Sequence, residues 1–205
     1  MDSAVAGRAA GLLRALGTGA VAVAAGLLPA LSADLQDPLS SLTPVKGSML
    51  CFGRDYSPDH LAQHPKQTTK AVRLAFEIFQ EQDPQRHVTI VLTPRAGAPR
   101  QITAYCLWWQ GAGIDTSGRK TFPTFDKSAA FNCVVTVRNT DKESGALLID
   151  PAQDAKTLTL FLESPIAAAD SKPGDAEPYF LALEPEDRIF ALARIEPSAC
   201  ASFTR

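Results

Sequence analysis

Lys70-Ala71-Val72-Arg73-Leu74-Ala75-Phe76-Glu77-Ile78-Phe79 is the stretch on which the fold turns. Val72, Leu74, Phe76 and Ile78 alternate with Ala71, Arg73, Ala75 and Glu77. Successive side chains of a strand point to opposite faces, so a period of two predicts a strand with one buried and one mostly wet face.

The same pattern recurs on both sides. The domain is expected to start near Met49. After a turn over Gln80 to Pro84, Val88, Ile90 and Leu92 make another strand, ended by Pro94 to Pro99. Gln101 to Trp109 and Phe131 to Arg138 follow, separated by a long loop from Gly111 to about Ala130. Beyond a polar turn at Asn139 to Ser144, Ala146 to Ile149 and Lys156 to Leu162 are strands. Glu163 to Glu177 reads as a second long loop, and Tyr179 to Leu183 and Arg188 to Ile195 close the domain. Eight or nine short strands with turns between them and almost no helical period define an all-β fold, an antiparallel sandwich or barrel. One helical turn is expected at Ser57 to Pro65, with Ser57 as N-cap, Pro58 at the first helical position and Asp59 at the positive helix start.

Ahead of the domain, Arg8 and Arg14 precede an uncharged run from Ala15 to Ala33. Its apolar heart is Val21 to Leu28, broken by Pro29 and followed by Ala30, Ser32 and Ala33. Basic, then apolar, then small is the order of a secretory signal, with cleavage expected after Ala33. The competing reading is a membrane anchor, which Gly17, Gly19, Gly26 and Pro29 weaken. The expected plan is therefore a signal peptide over 1–33, a loosely ordered leader over 34–47, and a single domain over 48–205 with no stable membrane span after cleavage.

The formal charge is −2 and the domain has no basic stripe, so nucleic acid is not an expected partner. All four cysteines, Cys51, Cys106, Cys133 and Cys200, follow the cut. An even number in an exported domain implies disulfides. Three pairings exist in principle. Cys106 shares a strand face with Ile102 and Ala104, and Cys133 with Phe131, Val135 and Val137, so both point inward. Successive strands commonly neighbour each other, which favours Cys106–Cys133 and leaves Cys51–Cys200 to tie the first strand to the far end of the domain.

Four groups of residues invite a chemical reading. If the Cys51–Cys200 bridge brings the ends together, Arg54 and Tyr56 meet Asp187 and Arg188 in a polar network, either a ligand site or a structural tie. His60 and His64, four apart on the helical turn, share a face and suit zinc, but a third ligand would have to come from His87, Asp55 or Asp59. Leu61 and Ala62 stand where a zinc protease places its base, so no metal or other cofactor is expected. Trp108 and Trp109 point to opposite faces of one strand; one belongs to the core, and the other either binds a sugar, lipid or partner or, the reading preferred for the pair, serves core packing alone. Phe122 and Phe125 would extend that aromatic patch along the loop. Nucleophile elbows, phosphate loops and paired acids at recognisable spacing are missing.

The segment Cys51-Phe-Gly-Arg54-Asp-Tyr56, the step His60-Leu61-Ala-Gln-His64-Pro65-Lys-Gln67, and the closing Asp187-Arg188-Ile-Phe190 with Cys200 resemble a group of small exported proteobacterial proteins of uncharacterised function. The likeness covers about 40 residues at the two ends of the domain. It implies an exported disulfide domain and no particular activity. Taken together, the expectation is a non-catalytic binding module of the periplasm or cell envelope, acting on a protein, an envelope component or a small ligand. The alternatives are a small-ligand carrier with a barrel pocket and a metal-dependent enzyme using His60 and His64.

Overall fold

A computed structural model describes residues 36–42, 47–77, 85–113, 120–136, 143–170 and 179–202. The expected signal segment and the Gln80–Pro84 turn lie outside the described residues.

The described residues form ten strands: β1 (Met49–Asp55), β2 (Thr69–Glu77), β3 (Arg86–Pro94), β4 (Arg100–Gln110), β5 (Ala129–Thr136), β6 (Glu143–Pro151), β7 (Thr157–Leu162), β8 (Ile166–Asp170), β9 (Tyr179–Leu181) and β10 (Ile189–Ile195). Eight of them close an antiparallel barrel. Each of β1 to β6 pairs with the next, and β10 pairs with both β7 and β1. The β8–β9 hairpin is inserted between β7 and β10 and joins the wall where Arg100 and Gln101 of β4 face Asp170 and Ala169. Strand β8 corrects the expectation of a structureless loop over Glu163 to Glu177, because its Ile166, Ala167 and Ala168 are buried in the core.

Alternation places the core inside. Val72, Leu74 and Phe76 of β2, Val88, Ile90 and Leu92 of β3, and Ile102, Ala104 and Cys106 of β4 all join one cluster with Phe52, Phe131, Leu160 and Phe190. Phe52, Phe76 and Phe131 have no accessible surface, so no water-sized void touches them. Side chains fill this part of the barrel, as small eight-stranded barrels allow. The opposite face of β2 is drier than expected. Ala75 lies beneath the Cys51–Cys200 bridge, and Glu77 packs against His87 at 3.5 Å.

Both disulfides pair as expected. Cys106 and Cys133 stand directly opposite each other across β4 and β5, inside the barrel, with Cα atoms 4.0 Å apart. Cys51 and Cys200 join outside it, where a 3-10 turn at Pro197–Ala199 carries Cys200 back over β1. In the loop-closure picture these bridges contribute about 3.5 and about 5 kcal/mol respectively.

The two ends of the barrel are closed differently. At one end, helix α1 (Pro58–Gln63) links β1 to β2, and the Ser57 hydroxyl accepts from the His60 N–H at 3.2 Å. At the other, part of the leader lies against the barrel. Leu39 is buried in the main core, and Asp37 pairs with Arg86 at 3.2 Å. A leader expected only to connect thus supplies a core residue.

Candidate functional site

The helix end gathers most of the residues singled out in the sequence. Asp187, fully buried in a 3-10 turn at Pro185–Asp187, accepts from the Thr68 N–H (2.8 Å), the Thr68 hydroxyl (2.7 Å) and the Thr69 N–H (3.0 Å). It therefore holds the start of β2. Arg54 lies 4.7 Å over the Tyr56 ring and donates to the Ala191 carbonyl at 3.3 Å. Arg188 donates twice to the Leu183 carbonyl, both at 3.2 Å. The four residues lie toward this end, and the hydrogen bonds of Arg54, Asp187 and Arg188 go to the main chain and to Thr68. Tyr56 links the halves: burial pushes its phenol up, the Arg54 charge pulls it down, and the Asp187 charge raises it further.

His60 and His64 extend the Arg54–Tyr56 pair into a column. The Tyr56 and His60 rings stack at 4.8 Å and 27°, and the His60 and His64 rings at 4.3 Å and 22°. Gln67 fixes the His60 tautomer. Its amide nitrogen donates to the Thr69 carbonyl at 2.7 Å, so its oxygen faces His60 Nε2 at 3.1 Å and must accept, which puts a proton on Nε2. Imidazole lone pairs lie in the ring plane. Two nearly parallel rings separated by a stacking distance do not aim them at one point, as a tetrahedral zinc requires. Among the described residues no group of three metal-ligating side chains comes together. His64 lies 3.8 Å from Glu186, and Arg95 binds the Leu61 and His64 carbonyls at 2.8 and 2.6 Å, tying down the end of α1. His87 sits on the wall beside Tyr105, with ring centroids 5.4 Å apart and apart from the helix column.

The two tryptophans diverge as strand parity requires. Trp108 faces inward at the leader end and packs edge-to-face on Phe131 at 5.2 Å. Trp109 faces out and is 58% exposed. Along the outer face of β4, Tyr105 and Leu107 are 46% and 36% exposed, and Val134, opposite Tyr105 on β5, is 38% exposed. These four form a continuous apolar strip on the barrel wall. Sequence reasoning found Trp109 but missed Tyr105 and Leu107, although the same alternation that buries Cys106 turns both outward. Phe122 and Phe125 do not belong to the strip. Both are buried with Ala130, Leu148 and Phe161 on the outside of β5 to β7, because the outward-facing Phe161 gives the loop an apolar surface to fold onto.

Beside Trp108 an open depression of about 520 Å³ is bordered by the loop before β5 and the end of β6. Across it Lys127 pairs with Asp150 at 2.7 Å.

Comparison with protein-family models, curated proteins and solved structures found no match. No helix among the described residues is long and apolar enough to cross a membrane.

Proposed function

We propose that this chain is an exported, non-catalytic binding module that docks a protein or another component of the cell envelope on its outer wall. The observation that carries the proposal is the strip of Tyr105, Leu107, Trp109 and Val134, exposed on a barrel whose neighbouring interior is filled by its own side chains. A carrier needs the reverse arrangement, an apolar cavity inside and a polar wall outside. Burying exposed aromatic surface is a main source of binding free energy at protein interfaces, where Trp and Tyr are enriched. Periplasmic or extracellular location is supported by two disulfides, the signal-like order of Arg8, Arg14, Val21–Leu28 and Ala33, and the resemblance to small exported proteobacterial proteins.

The test has two arms. Mass spectrometry of the protein from a native host should place the mature N-terminus at Asp34, outside the cytoplasm. An intact N-terminus in the membrane fraction would replace export by anchoring. A photo-crosslinking amino acid at position 109 should then give one discrete adduct with an envelope component, while the same probe at the exposed Lys156 gives none. Equal labelling from both positions would remove the docking role of the wall.

A further inference from the structure

The depression at the leader end has a lining that selects a class of ligand. Its apolar part is the half-buried Trp108 with the buried Ala129 and Pro151. Around these stand Ser128 and Gln153, each able to donate and accept, and the carboxylates of Asp126 and Asp150. The volume lies within the range of about 300–1,000 Å³ usual for small-molecule sites.

Charge narrows the choice. Two carboxylates face one ammonium, and that ammonium, Lys127, is already within 2.8 Å of both Asp150 oxygens. An anion would meet an uncompensated carboxylate and a cation already paired. A purely apolar molecule would strip water from the polar rim without replacing its hydrogen bonds. A small organic cation finds one aromatic ring rather than a cage, and a lysine beside it. What fits is a neutral molecule with an apolar face for the indole and many hydroxyls for the rim. We propose that this depression binds a neutral oligosaccharide, with Trp108 as the platform and Asp126, Ser128, Asp150 and Gln153 as hydrogen-bonding partners. The site is separate from the outer-wall strip and does not depend on docking there.

The chain has two tryptophans, which makes the test direct. In the mature Trp109→Phe protein, Trp108 is the sole indole reporter. Titration with chitotriose, cellotriose and maltotriose should shift its emission saturably for at least one sugar, with a midpoint of about 1 mM or tighter. Saturation-transfer NMR on the same sample should show that sugar's ring protons in contact with the protein. Gln153 is exposed, so Gln153→Ala should leave the fold intact and weaken binding about fivefold, the loss expected for one neutral hydrogen bond. No saturable change with any of the three sugars up to about 10 mM overturns the proposal. So does binding that Gln153→Ala leaves unchanged, or a response to tetramethylammonium or inorganic phosphate in place of the sugars.

Discussion

The two ends of this barrel use polar residues in opposite ways. At the helix end, the carboxylate of Asp187, the amide of Gln67 and the guanidinium of Arg95 are directed at backbone groups. At the leader end the closing is done by Leu39 and the Asp37–Arg86 pair, while Trp108 and its polar neighbours border an open depression. A side chain whose hydrogen bonds hold the main chain is committed to the fold. The residues with the most unusual sequence signature are therefore tied into the fold, while the exposed apolar strip and the open depression lie on the wall and at the other end.

The largest loss of stability is expected from Asp187→Ala. It removes the acceptor for a buried N–H at Thr69 and for two donors of Thr68, and is expected to cost about 3 kcal/mol in chemical denaturation. A loss below about 1 kcal/mol would mean that Asp187 is not structural and would return it to the list of ligand-binding candidates. At the opposite end, Leu39→Ala is expected to cost about 2 kcal/mol, the lower edge for a leucine at the margin of a core. An unchanged midpoint would show that the leader does not close the barrel in solution.

The ends should also separate by pH. Burial raises Glu77 above its ordinary 4.5 and Asp37 above its ordinary 3.8, the latter against the pull of Leu39 N–H and Arg86. Both groups are held neutral more strongly in the fold than in the unfolded chain. Their contribution is thus fully present below the ordinary carboxylate values and is lost as pH rises through the raised folded values. Tyr56, raised above 10.0 mainly by burial, does the same at the helix end in the alkaline range. Stability measured against pH should fall in two separate windows. Glu77→Gln with Asp37→Asn should flatten the acidic one only, and Tyr56→Phe the alkaline one only. A substitution at one end that flattens the other end's window would show that the two are coupled. The smallest stability effect is expected on the wall between them. Tyr105→Ser and Leu107→Ser should each change stability by about 0.5 kcal/mol or less while abolishing the crosslink from the probe at position 109.

Much of this was legible along the strands. Period two in Val72, Leu74 and Phe76 assigned the inner face, and the parity of Cys106 and Cys133 was enough to pair them. The capping chemistry of Ser57 and Pro58 marked α1. Closure was not legible, because alternation reports which face is buried and not which distant strand lies alongside; barrel and sandwich differ only in pairings such as β1 with β10. Strand β8 escaped notice because Ile166 to Asp170 is mostly alanine flanked by Pro165, and its burial depends on the wall it joins. Leu39 escaped for the reverse reason, a lone apolar side chain in a segment of turn residues. At the helix end the sequence brought Asp187 near Arg54 and Tyr56, but hydrogen bonding to the Thr68 and Thr69 backbone leaves no pattern in side-chain composition.

The position of β10 carries a consequence for how the wall is assembled. Seven strands can pair with their immediate predecessors as the chain emerges, yet the cylinder stays split between β1 and β7 until β10 arrives. During that interval both strands on either side of the gap present unpaired amides and carbonyls to whatever is nearby, including other copies at the same stage. Contacts this distant in sequence are slow to find. A chain crossing a membrane would spend that delay as an open, edge-exposed intermediate, so its yield would depend on how quickly the last strand is delivered and on any holdase that shields the gap.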